Sequence, residues 1–188
     1  MNMKLVKCSD ICLQSKWRLQ DIEAAGFISS DLYKNGLLGD IMQVYSSYYS
    51  MEQALLSTHI HFYNSASYIF QEENGDYIKV RVGDVVEIAL VENESGFASI
   101  RAILKHHGND EQDYVFIYVA WFEDVLRLDE LLLCPIYRLQ KDTNDSWYRI
   151  HPISTVKSVP EVSFKIVMKF QISNMLIIFY FQQYNNYR

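Results

Sequence analysis

Cysteine, proline and glycine are all scarce, at three, three and seven of 188 residues. Cys8, Cys12 and Cys134 are odd in number, which does not describe a disulfide framework, so a reducing compartment is expected. No internal repeat and no low-complexity linker is visible. Long apolar runs are missing too. Residues 1–20 are broken every few positions by charged, polar or hydroxyl side chains, so no signal-peptide core is expected there. The run Met175–Phe181 falls well short of the roughly 18–20 residues that a spanning helix needs, so no membrane span is expected. Basic residues are also in deficit, at 17 against 23 acidic ones, for a net charge of −6. Phosphate binding needs clustered Lys and Arg, so direct nucleic-acid binding is not expected.

What is present is apolar and aromatic. Half the chain (49%) is hydrophobic, with 14 Tyr, 10 Phe and 3 Trp. That is enough to build a core, and with few turn formers it favours many strands. Residues 1–58 read as a helical N-terminal region. Ser15 is placed to cap a helix through Trp17, Leu19 and Ile22 that stops near Gly26. Asp40 and Gln43 resemble a capping box, and Ile41, Val44, Tyr45 and Tyr48 follow on one helical face. That helix has room to continue through Met51, Leu55 and Leu56. From His59 the pattern turns to short strands about ten residues apart. They are joined by polar turns such as Gly83-Asp84 and the segment His106–Asp110. Tyr114–Phe122, all apolar or aromatic, reads as a strand buried on both faces. Pro135 marks an edge strand or a bulge. The expected fold is mainly β (α+β), a small barrel or sandwich over residues 59–164. Residues 165–188 form an apolar tail that reads either as a buried final element or as sequence added after a truncated domain.

Catalytic signals are few. There is no G-x-G-x-x-G, no G-x-x-x-x-G-K-S/T and no G-x-S-x-G. Cys8 and Cys12 are spaced to share a helical face, but no second ligand pair follows at zinc-finger spacing. His59 and His61 alternate onto one side of a strand without a carboxylate or cysteine partner in the pattern. Glu72-Glu73 and Glu123-Asp124 are sequence neighbours, which point apart on a strand. No catalytic residue, cofactor or metal is expected, and the chain reads as a non-enzyme.

Four segments, in order, resemble a bromo-adjacent homology (BAH) domain. Val82-Gly83-Asp84-Val85-Val86 resembles the family's G-D-x-V strand. The stretch Phe97–Ile103 resembles its Y-I/V-A-R strand, and Val119-Ala120-Trp121-Phe122 its V-x-W-F/Y strand. The segment Pro152–Val162 resembles the stretch that closes the barrel. Leu133–Leu139 followed by Trp147-Tyr148-Arg149 is also similar to divergent modules in mobile-element-derived fungal proteins.

The resemblance implies a small distorted β-barrel of BAH type. It implies a non-enzymatic interaction module in chromatin, with a protein or histone-tail peptide as partner and a nuclear or else cytoplasmic location. Family readers hold methylated lysine in an aromatic cage, through attraction of an ammonium to ring faces. Carried over by position, the cage here is Phe97, Trp121 and Glu123. Glu123 stands where readers place an aromatic and Asp124 where they place an arginine, so less methylated, better hydrogen-bonding ammonium groups are favoured. Read from its own strand, Trp121 is a core residue, and that reading stands ahead of the cage. Two alternatives stand beside the reader: an inactive relic or accessory domain of a mobile-element protein, and a metal enzyme or hydrolase on a small barrel.

Overall fold

The computed structural model describes residues 8–25, 36–51, 56–70, 76–90, 94–128, 130, 135–140, 148–159, 167–169 and 176–178. Nine strands form one antiparallel sheet. They are β1 (Ile11–Trp17), β2 (Ile60–Phe70), β3 (Asp76–Arg81), β4 (Val85–Ala89), β5 (Ser95–His107), β6 (Asp113–Leu128), β7 (Pro135–Leu139), β8 (Ile150–Pro152) and β9 (Val156–Ser158). Among the described residues two helices, α1 (Leu19–Ala24) and α2 (Leu38–Tyr49), precede β2. Among the described residues two short strands near the C-terminus, β10 (Val167–Lys169) and β11 (Leu176–Ile178), pair with each other. Among the described residues the sheet does not close into a barrel.

The sheet is shaped by a fork. β2 pairs with β5 over Ile60–Tyr63 and then with β3 over Ser65–Phe70. β5 in turn takes β4 along Ser95–Ser99. The corner between β3 and β4 fills the gap where β2 and β5 part. There Val82 N–H donates to Asn64 O (2.9 Å), Gly83 N–H to Ile100 O (2.8 Å) and Ile100 N–H to Asp84 O (2.8 Å). Asp84 Oδ2 accepts from Arg81 N–H at 2.7 Å. Gly83 turns this corner at φ +95, a region closed to most side chains.

A bulge at Arg101 sets which side chains face which core. β5 pairs Ile100 with Val119 and Ala102 with Tyr118, so Arg101 is an extra residue. Strand side chains alternate between faces, and one extra residue reverses the alternation beyond it. Ala98, Ile100 and Ile103 therefore share one core with Val115, Ile117, Val119 and Trp121 of β6. Ala102 and Leu104 join Phe116 and Tyr118 in a second core on the other face, beneath Ile41, Val44 and Tyr45 of α2.

Three expectations need correction. Ile11–Trp17 is a strand paired with β2, and helix α1 starts only at Leu19. Apolar residues at 11, 13 and 17 satisfy a period of two once tertiary pairing with β2 is available, and Ser15 bends that strand at φ 53 instead of capping a helix. Cys8 and Cys12 accordingly share no helical face: Cys8 lies in a 3-10 turn and Cys12 on β1. Asp40 is not the cap of α2 but lies inside its first turn, where its carboxylate reaches Arg149 Nη2 (3.0 Å to Oδ2). Finally, His106 and His107 extend β5 instead of opening a turn, because β6 pairs with them through Tyr114 and Asp113. Helix α2 itself matches its predicted face, and it ends at Ser50 in the αL conformation. The expected continuation does not reach Met51 or Leu56, neither of which is helical, while Leu55, the turn at 71–75 and the stop at Gly26 lie outside the described residues.

Candidate functional site

Strand β6 carries both candidate regions, one at each end. The C-terminal end holds the residues predicted for a cage. Trp121 is 5% exposed and sits in the sheet core. Its Nε1–H donates to Tyr148 O (2.9 Å), and its ring meets His151 edge-on at 5.3 Å. A Cβ placed on Gly96 would lie 2.9 Å from Trp121 Cζ3, so the glycine leaves room for the indole. Glu123 pairs with Arg138 across the β6–β7 ladder, Oε1 lying 2.7 Å from Nε and 2.6 Å from Nη2. Phe97 packs against Tyr137 in a T-shape at 5.7 Å. Ala98 lies opposite Trp121, so alternation sends the neighbouring Phe97 to the opposite face of the sheet. The three predicted residues thus do not line one pocket: the indole is in the core, the phenyl ring is on the other face, and the carboxylate is engaged by Arg138.

The N-terminal end of β6 is different. β8 covers its outer edge only over Phe116–Tyr118, and beyond Pro152 the chain turns away through Ile153–Thr155. No strand among the described residues pairs outside Asp113–Val115. A hollow of about 670 Å³ opens at this edge. It straddles the sheet, because β6 side chains alternate. Tyr114 faces the helix side, where Tyr49 of α2 meets its ring at 4.7 Å and 75°. Val115 faces the other side with Ile153 and Cys8. Lys105 lies opposite Val115 in register and ion-pairs with Asp113 Oδ2. His107 Nδ1 lies 3.0 Å from the other oxygen of that carboxylate.

Charges here are stabilised in pairs. The hydrogen bond from Lys105 holds the Asp113 carboxyl below its usual range, with His107 adding to it. The same bond raises Lys105. Cys8 moves the other way. Burial pushes its thiol up, and Lys105 offsets this only in part. A raised pKa leaves less of the thiol as thiolate, so nothing in this arrangement activates Cys8. At the tip of the β5–β6 turn, Asp110 Oδ2 accepts from the Tyr114 hydroxyl at 2.7 Å. Gly108 makes that possible, since a Cβ there would come within 2.8 Å of Tyr114 Cε2 and 2.7 Å of Asp110 Oδ1.

Two buried histidines fix α2, and so Tyr49, over the sheet. The Tyr45 hydroxyl lies 2.9 Å from His106 Nδ1, whose Nε2 is 2.9 Å from Ser57 O. The Tyr48 hydroxyl lies 2.9 Å from His151 Nδ1, whose Nε2 is 2.8 Å from Tyr148 O. A carbonyl only accepts, so each Nε2 carries a proton. The lowered pKa of both rings favours the neutral form, in which Nδ1 accepts from the tyrosine hydroxyl. Burial lowers His106 and takes His151 down to about 4.

Sequence reasoning did not find the hollow, because its walls come from separate segments joined by strand register. One signal was readable: Asp113 and Tyr114 place a carboxylate and an aromatic at the start of the strongest strand in the chain. Among the described residues no three His, Cys, Asp or Glu side chains converge as metal ligands. His61 is exposed on β2, while His59 precedes the strand. No family model matches the chain, and no curated protein is significantly similar to it.

Proposed function

We propose that this chain is a non-enzymatic protein-interaction module of BAH type, with a protein or histone-tail peptide as its partner. The observation that carries this reading is the hollow beside the edge of β6 that no described strand pairs, large enough for side chains of a partner. Its walls hold no activated nucleophile: the thiol is raised, and the one carboxylate is bound by Lys105. The segments that resemble the family also lie together. They fall on the β3–β4 corner, β5, β6 and the β8–β9 stretch, and these pair as β4–β5, β5–β6, β6–β8 and β4–β9. A net charge of −6 suits a basic tail. The family's own aromatic cage is not part of this proposal, because Trp121 is a core residue here.

The test is a peptide array of histone tails and unrelated sequences, probed with the full chain. Selective retention of a subset of basic peptides is expected. An array on which nothing is held above the level of a heat-unfolded sample contradicts the reading.

A further inference from the structure

We propose that an extended peptide with alternating basic and apolar residues adds as a strand to the outer edge of β6 at Asp113–Val115. Its basic side chains meet Tyr49 and Tyr114, and its apolar ones meet the partly exposed Cys8. This rests on the interaction reading above and gives it a place and a chemistry.

Val119 N–H donates outward to Arg149 O at 2.8 Å. In an antiparallel strand every second residue directs its N–H and C=O to the same edge, so Ile117, Val115 and Asp113 also face outward. β8 takes up the edge at Ile117, opposite His151. Val115 and Asp113 lie past the point where the Ile153–Thr155 turn carries the chain away. Pairing with such an edge is a common mode of peptide capture, in which main-chain bonds hold the segment and alternate side chains enter pockets.

The side chains then say which peptide fits. An added strand sends successive residues to opposite faces, and the hollow spans both. On the helix side, Tyr49 and Tyr114 supply aromatic surface that favours a cation. Asp110 is bonded to the Tyr114 hydroxyl, and it and its neighbour Glu111 are exposed on the adjoining turn, so the local charge is negative. On the other side Lys105 is already neutralised by Asp113, Val115 and Ile153 are closed into the core, and the partly exposed, neutral Cys8 is the apolar surface that remains. A basic residue is therefore placed against the tyrosines and an apolar one against Cys8.

The experiment uses the full chain and a fluorescein-labelled nonapeptide alternating lysine and valine, with glutamate for lysine as comparator. The lysine peptide is expected to bind at least tenfold more tightly. Val115→Pro removes the outward donor while keeping a strand-compatible φ, and is expected to weaken binding at least tenfold. In parallel, the peptide is expected to slow alkylation of Cys8, which lines the hollow, and to leave the exposed Cys12 on β1 unchanged. Equal binding by a folded Val115→Pro chain, or peptide binding without protection of Cys8, overturns the proposal. Should Val115→Pro not fold, the Cys8 and Cys12 rates in the unaltered chain decide. Array binding combined with unprotected Cys8 leaves the interaction reading standing and rejects this site. An empty array with no binding of the lysine peptide rejects both.

Discussion

The two ends of strand β6 use similar residues for opposite purposes. At the Trp121 end, an indole, a carboxylate and an arginine are all engaged: the indole N–H by Tyr148 O, Glu123 by Arg138. Past Asp124 the strand runs out into solvent, with Leu126 89% and Leu128 60% exposed. At the Asp113 end, two tyrosines, a carboxylate and a lysine surround a hollow beside backbone that no described strand pairs. A motif marks the first end and none marks the second. A tryptophan in a strand is informative about packing before it is informative about ligands, because so large a ring is seldom left without a core to fill.

The contrast is broken most forcefully at Trp121. Trp121→Ala removes a buried ring and its hydrogen bond, and should cost about 3–5 kcal/mol in urea unfolding. A variant that stays as stable as the parent while losing a ligand would restore the cage. Acid is the next largest perturbation. His151 is neutral in the fold with a pKa of about 4, below the ordinary 6.5. Above pH 6.5 neither state is protonated there, so stability is intact. As pH falls from 6.5 to 4 the unfolded chain takes up a proton that the folded one refuses. That difference reaches about 3 kcal/mol by pH 4. His106, also lowered, adds in the same direction. Urea midpoints measured from pH 7 to pH 4 check this, and His151→Gln should flatten the slope.

Smaller effects sharpen the comparison. Gly108→Ala pushes a methyl group against the Tyr114 ring and the Asp110 carboxylate, and should cost about 1–2 kcal/mol. It should also shift the amide resonances of Asp113–Val115 while leaving those around Trp121 in place. Glu123→Gln weakens a half-exposed ion pair, worth less than about 1 kcal/mol. It should change neither the fold nor the binding of a basic peptide, as titration of both chains with the same peptide will show.

Parts of this architecture were legible in the residues, for identifiable reasons. The predicted strands at Phe97–Leu104 and Tyr114–Phe122 lie inside β5 and β6, because long β-branched and aromatic runs have no stable alternative when both faces are covered. Helix α2 was legible because Ile41, Val44 and Tyr45 fall on one helical stripe, and all three are buried. Strand β1 was not, although Ile11, Leu13 and Trp17 keep a two-residue period, since Ser15 and Lys16 make the segment look like the start of a helix. The bulge at Arg101 left no local mark at all. It is visible only as the reversal that puts Ile100 and Ile103 in one core and Ala102 in the other. The hollow was illegible for the same reason. Lys105 and Asp113 are eight positions apart in the chain and meet only through the β5–β6 register.

One measurement bears on the central claim most directly. In a 15N-labelled sample titrated with the lysine–valine peptide, amide shifts are expected to concentrate at Asp113, Tyr114 and Val115, with Trp121, Phe122 and Glu123 unmoved. Shifts centred on Phe97 and Trp121, with the Asp113 end silent, contradict it.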